Sequence, residues 1–376
     1  LLSNTEAGKA MSDKTAQKKK ARVIAFYLPQ FHPIPENDEW WGKGFTEWTN
    51  VTKARPLFKG HEQPHLPADL GFYDLRLPES RIAQAEMAAA HGVEGFCYWH
   101  YWFAGRRLLE RPFDEVLSSG QPDFPFCLGW ANESWTGVWN NEPSRMLIEQ
   151  TYPGEADDRA HFEYLLKAFN DHRYITVDGK PLLFIYKPLK LPDAKRRFDF
   201  WRELAIKAGL KGLYIVGNNL LDFDDAASLG LDGAVVTTLG VVTSKHPVVN
   251  KAKWLIWGLR KKFALGGPRT IEYKEAIKHL VPDLTKFNFD AYPCVYPNWD
   301  HTPRSGRKGL VLTDSTPALF EKHLKDAVNA ISSRDDEHSI IFLKSWNEWA
   351  EGNYMEPDTK WGLQYLEALK RVILDN

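Results

Sequence analysis

Two glutamates three residues apart, Glu348 and Glu351, stand in the stretch SWNEWAEGNYMEPD (345–358) beside Trp346 and Trp349. Hydrolysis of a glycosidic bond needs a carboxyl pair of this kind, one donating a proton and the other acting as nucleophile or base. Crowding of like charges, reinforced by indole walls that exclude water, would raise the pKa of one member and keep it protonated near neutrality. The plainer alternative is a solvated acidic loop. Glu356 and Asp358 precede the last helix, where acids are favourable, and read as capping or loop-bracing residues.

Further polar and aromatic candidates fall at the ends of other apolar runs. LGWANESW (128–135) offers Trp130 and Asn132 as sugar contacts and Glu133 as a rival to Glu351 for the acid. FYLPQFHPIPENDEWWGKGFTEWTNV (26–51) supplies Tyr27, His32, Trp41, Glu47 and Trp48 on a loop stiffened by prolines. Trp99 and His100 close a second run, Tyr186 a fourth, and Trp299, Asp300 and Arg304 a seventh. Asn347 and Trp349 flank the glutamate pair. His32 and His100 read equally well as structural histidines.

Two weaker signals point to metal or membrane chemistry. DFDD (222–225) contains an Asp-x-Asp, which some nucleotide-sugar transferases use for a divalent ion, but before a short helix aspartates more often cap free N–H groups. The histidines lack zinc-ligand spacing, so neither metal nor cofactor is expected. KAKWLIWGLRKKFAL (251–265) is basic and amphipathic and could touch a membrane surface or a partner; packing on the fold as an extra helix is the preferred reading.

The elements that must position these residues are legible as apolar runs at 23–28, 94–99, 125–130, 182–187, 213–217, 232–236, 292–296 and 339–346. Their unbroken apolar character fits parallel strands covered on both faces. Helical patterns lie between them at 79–91, 156–170, 194–208, 315–332 and 361–374. Thr316-Pro317 marks the start of the fourth of these. Eight strands, each followed by a helix or long loop, give a (β/α)8 barrel as one domain over 22–376, behind a disordered polar tail at 1–21. An open doubly wound sheet is the alternative, without its usual Gly-x-Gly-x-x-Gly turn.

The tryptophans sharpen this expectation. Eleven of 15 fall at or after strand ends, at positions 40, 41, 48, 99, 102, 130, 135, 139, 299, 346 and 349. Crowding on one rim favours an aromatic cleft for the apolar faces of sugars. Long loops packed around their own hydrophobic clusters would produce the same count.

Bulk properties exclude other classes. With 48 Lys+Arg against 49 Asp+Glu, nothing marks the chain as a nucleic-acid binder. No run reaches the roughly 18 apolar residues of a membrane span. Cys97, Cys127 and Cys294 sit singly in apolar runs as expected buried thiols, and the N-terminus lacks a secretory signal, so the expected compartment is the cytoplasm.

Taken together, FYLPQFHPIPENDEWWGKGFTEWTNV, GFCYWHYWF, LGWANESW and SWNEWAEGNYMEPD resemble the glycoside hydrolase family 99-like domain and the WbsX-like proteins of bacterial polysaccharide biosynthesis, over about residues 22–360. The resemblance implies a (β/α)8 barrel acting with retention on α-linked manno-type or related sugars, hence an oligosaccharide or polysaccharide partner. It implies that Glu348 removes the sugar's 2-OH proton, by way of a 1,2-anhydro sugar, while Glu351 serves as acid and then base. A glycosyltransferase of O-antigen, capsule or lipopolysaccharide assembly and a non-catalytic glycan-binding module remain as alternatives.

Overall fold

Apolar runs with no polar alternation can only be satisfied as strands buried on both faces, and eight of them close into a barrel. The computed structural model describes residues 19–137, 142–221, 224–236, 239 and 267–374. The barrel strands are β1 (Arg22–Tyr27), β2 (Val93–Phe103), β3 (Phe126–Trp130), β4 (Lys180–Ile185), β5 (Tyr214–Asn218), β6 (Gly233–Val236), β7 (Asp290–Val295) and β8 (Ile340–Leu343). Each pairs in parallel with the next. The ring closes where β8 returns to β1, with Arg22 opposite Ile340 and Ala25 opposite Leu343. This is the (β/α)8 barrel that the strand count implied, and closure leaves no sheet edge.

Two short helices, α1 (Pro35–Trp41) and α2 (Glu47–Lys53), lie in the loop leaving β1. The outer layer comprises α3 (Pro78–Ala90), α4 (Arg111–Ser119), α5 (Glu155–Phe169), α6 (Ala194–Lys207) and α7 (Tyr273–Leu280). After the short α8 (Thr302–Ser305) come α9 (Pro317–Ile331) and α10 (Gln364–Ile373). The Thr316 hydroxyl accepts from the Leu319 N–H at the start of α9, with Pro317 at the first helical position, as that sequence signal implied. Residues 1–18 of the expected tail lie outside the described residues. Lys20 already donates its N–H to the Ile373 carbonyl, and Ala21 is buried.

Alternation along the strands decides what reaches the barrel axis. Phe26 of β1 stacks on Trp99 of β2, with centroids 4.9 Å apart, and also meets Phe184 of β4 and Phe342 of β8. These four rings fill the interior. Gly129 of β3 makes room for them, because a Cβ there would stand 3.1 Å from Cys97 Sγ and 3.2 Å from the Trp99 ring. Two residues further along, Tyr186 and Lys344 follow Phe184 and Phe342 toward the C-terminal mouth. Residues of opposite parity face the helices instead.

Candidate active site

The mouth of the barrel holds a charged cluster on an aromatic floor. Lys344 Nζ lies 5.8 Å from the centroids of both Trp99 and Trp299. It stands 3.8 Å from Glu348 Oε1 and 3.9 Å from Glu351 Oε2. Arg304, just past β7 in α8, places one nitrogen, Nη1, 2.6 Å from Glu351 Oε1 and 3.4 Å from Glu348 Oε2. Its Nη2 donates to Glu47 Oε1 at 2.5 Å. Trp99 Nε1 donates to Glu348 Oε1 at 3.2 Å. The two glutamates therefore meet one guanidinium nitrogen and open onto a cleft of 690 Å³, between Trp41, Trp135 and Tyr186.

The electrostatics follow from burial. Burial raises the pKa of Glu348, and the Glu351 carboxyl raises it further, against Lys344 and Arg304. Burial likewise raises that of Glu47, opposed chiefly by Arg304. Burial works against the charge of Lys344, but the Glu348 and Glu351 carboxylates outweigh it and raise its pKa. His301, 3.7 Å from Glu351 Oε1, is lowered to about 4 by burial and Arg304, so it is neutral at neutral pH. Three carboxyls thus face two cations in a water-poor site.

Loop geometry holds the pair in place. The Asp300 N–H donates to the Glu351 carbonyl at 2.7 Å. Gly352, with φ +57, lies so close to Asp300 that an added Cβ would stand 2.6 Å from Asp300 Cβ. Both Asp300 oxygens are spent on bracing. Oδ1 accepts from the Thr302 N–H and hydroxyl, and Oδ2 meets His61 and Gln63 at 2.7 and 2.6 Å. Asp300 is thus a loop brace, not the sugar contact expected of it.

Several other expected contacts also lie away from the cleft, turned outward by strand parity or held by loop contacts. Trp99 and His100 are sequence neighbours on a strand and so face opposite ways. Trp99 floors the cleft, whereas His100 turns outward to His161 of α5 at 2.9 Å. Tyr27 is outward and bonded to Gln84 of α3, and Trp130 is outward against His161 and Trp201. His32 is buried, with its Nδ1 3.0 Å from the Pro29 carbonyl. Trp48 donates to the Tyr73 carbonyl, and Trp349 stacks on Tyr354 at 3.8 Å. Asn347 ties both ends of its amide to the Leu28 backbone. Apart from Trp99, none of these lines the cleft. Glu47 does not line it but holds two residues that do, accepting from Arg304 and from Gln30.

Trp41, Trp99, Asn132 and Tyr186 do line the cleft, and Trp299 lines its continuation. Asn132 is also tied to the Lys187 backbone, accepting from its N–H at 2.8 Å. Glu133 sits half-exposed on the same rim, 3.7 Å from Lys187 Nζ. Of the eleven rim tryptophans, positions 40, 48, 102, 130, 346 and 349 are buried in packing away from the cleft, Trp102 and Trp130 of them against the outer helices, and Trp139 lies outside the described residues. The tryptophan excess is therefore divided between loop and helix packing and a minority that lines a sugar-sized cleft.

Glu356 and Asp358 are braces. Glu356 accepts from Trp349, Gln84 and Tyr73, and Asp358 caps the turn at Lys360 and Trp361. Asp224 and Asp225 accept backbone N–H groups, whereas Asp222 and the segment 251–265 lie outside the described residues. No cluster of His, Cys, Asp or Glu able to hold a metal is found among the described residues. Nor is there, among them, a helix long and apolar enough to cross a membrane.

Residues 23–369 match the family model described as Glycosyltransferase WbsX. The chain belongs to the WbsX family. A relative of this WbsX-family chain, the uncharacterized protein WxcX of Xanthomonas campestris pv. campestris, is 35% identical over 359 residues. That alignment covers 94% of the chain and 50% of WxcX, so the chain spans about half the length of this relative. Among solved structures, a glycoside hydrolase-like protein superposes with a TM-score of 0.59 at 17% identity, covering 97% of this chain and 96% of the other. A GH99 endo-alpha-mannosidase from Bacteroides thetaiotaomicron superposes with a TM-score of 0.56 at 17% identity, covering 93% and 95%. At that identity these likenesses establish the shared barrel.

Sequence reasoning left Lys344 unnoticed. A lysine at the end of an apolar run, four residues before a glutamate, was the available signal: a charge placed there needs a buried partner. Arg304 reads in the sequence only as a strand-end residue, and nothing local reveals its three carboxyl partners.

Proposed function

We propose that this WbsX-family chain is a carbohydrate-active enzyme that breaks glycosidic bonds of an α-linked manno-type or related glycan with retention, using Glu348 and Glu351. The carrying observation is the shared guanidinium nitrogen of Arg304, which holds both carboxyls at one point on an indole floor. In this reading Glu348, steadied as an anion by Trp99 and Lys344, takes the proton of the sugar 2-OH. The 2-oxygen attacks C1 while Glu351 protonates the departing glycosidic oxygen, giving a 1,2-anhydro sugar. Water, deprotonated by Glu351, then opens that ring, and the 2-oxygen recovers its proton from Glu348. A cytoplasmic setting and a bacterial surface polysaccharide as the glycan belong to the same proposal, the first supported by three free, buried cysteines.

Incubation with α-mannan oligosaccharides should release sugar, and Glu351→Gln should abolish release; persistence of activity in that variant would refute the assignment. The family description favours a second reading, transfer from an activated donor on the same barrel. It requires a nucleotide-sugar or lipid-linked donor for any turnover.

A further inference from the structure

The cleft of 690 Å³ and its continuation of 660 Å³ meet at a junction where His301 and Glu351 line both. A bond cut at Glu351 must lie across this junction, with the sugar that keeps C1 on one side and the departing group on the other. The chemistry of the glutamate pair by itself makes no use of His301.

Local structure holds this imidazole in one orientation. His301 follows the brace Asp300 and caps the short α8. Its N–H donates to the Leu310 carbonyl, and its carbonyl accepts from the Ser305 N–H. One turn on, the Ser305 hydroxyl lies 2.7 Å from His301 Nδ1. Trp299 stacks along the ring, with centroids 6.2 Å and planes 20° apart. These contacts leave Nε2 beside Glu351, 3.7 Å from Oε1. A lone pair on Nε2 would face the carboxyl oxygen unfavourably, so the N–H belongs there and Ser305 donates to Nδ1. Burial and the Arg304 cation keep the ring neutral, so the two groups do not form an ion pair.

Glu351 Oε2 is buried, which leaves Oε1 to meet a substrate. A donor and an acceptor 3.7 Å apart are too far for each other, yet both can reach one oxygen at about 2.8 Å. We propose that His301 is a further catalytic residue, whose Nε2–H binds the oxygen that Glu351 protonates in the first step and deprotonates in the second. On the hydrolytic reading, on which this assignment rests, the bridging oxygen takes the Glu351 proton on one lone pair. Its other lone pair accepts from His301 while the bond to C1 breaks. A water then occupies the same place. It gives a proton to Glu351, its oxygen bonds to C1, the bond from C1 to the 2-oxygen breaks, and the 2-oxygen takes its proton from Glu348. The imidazole neither gains nor loses a proton in either step.

The test is pre-steady-state kinetics on wild type, His301→Ala and His301→Gln, the last because its amide nitrogen can reach the same oxygen. Circular dichroism confirms that all three are folded. The substrates are an α-linked manno-disaccharide and a dinitrophenyl α-mannoside, whose phenolate leaves without a hydrogen bond. With the dinitrophenyl glycoside, His301→Ala should release a burst of phenolate at nearly the wild-type rate and then turn over roughly 10–100-fold more slowly. With the disaccharide the same variant should lose at least as much and show no burst, and His301→Gln should recover part of both losses. Equal slowing of burst and steady state, or a glutamine variant no better than alanine, would overturn the role of His301. So would unchanged rates in His301→Ala, which would leave the glutamate pair standing. Wild-type protein that cleaves neither substrate would overturn the hydrolytic reading and this assignment with it.

Discussion

The main-chain N–H of Asp300 donates to the carbonyl of Glu351 at 2.7 Å, so the loop after β7 sets the height at which this glutamate enters the cleft. Gly352 makes the approach possible, having no Cβ to strike Asp300. Gly352→Ala should cost roughly 1–3 kcal/mol, through a left-handed φ and a backbone clash. It should also reduce kcat by more than it changes KM. Chemical denaturation with parallel kinetics tests this; a fully active variant of unchanged stability would remove Asp300 as the anchor.

The two glutamates should separate by leaving group. With a dinitrophenyl glycoside, whose phenolate departs without protonation, Glu351→Gln should retain most of the first-step rate. Glu348→Gln should lose about 10²–10⁴-fold, because no base then takes the 2-OH proton. With a natural glycan both should be inactive. Burst kinetics would show the difference, and the reverse pattern would exchange the two roles.

Arg304 is the counter-ion of two buried carboxyls, Glu47 and Glu348, and of the partly exposed Glu351. Arg304→Met should destabilise by about 3–5 kcal/mol, the usual cost of stranding buried charge. Adding Glu47→Gln should recover part of that loss. Arg304→Lys should not rescue, since one ammonium cannot span Glu47 and the catalytic pair as two guanidinium nitrogens do. Urea melts of the four proteins decide it.

Glu356 should make stability depend on pH. Burial raises its pKa from 4.5 to about 7, against the donors Trp349, Gln84 and Tyr73. A raised folded value means that the native state keeps a proton the unfolded chain has lost. The contribution is complete below pH 4.5 and disappears as pH rises through about 7, worth roughly 3 kcal/mol at most. The melting temperature should therefore fall over that window, and Glu356→Gln should flatten the fall.

The barrel was legible because each strand is a short, unbroken apolar run bounded by polar loops, and burial on both faces demands that pattern. The glutamate pair was legible because three residues in a strand-end turn fix its spacing locally. Which tryptophans reach the sugar was not. Trp99 and Trp130 look alike in the sequence, yet strand parity sends one into the barrel and the other against α5 and α6.

By itself, then, the chain's order of residues determined eight strands, their sequence in the barrel and two acids at the mouth, since these depend on local pattern and short spacing. Tertiary structure decided that Arg304, Glu47 and Lys344, contributed by three separate loops and strand ends, close on those acids. Charge balance in a buried site is set by what lies within a few ångströms in space, and 257 residues of chain separate Glu47 from the arginine that neutralises it.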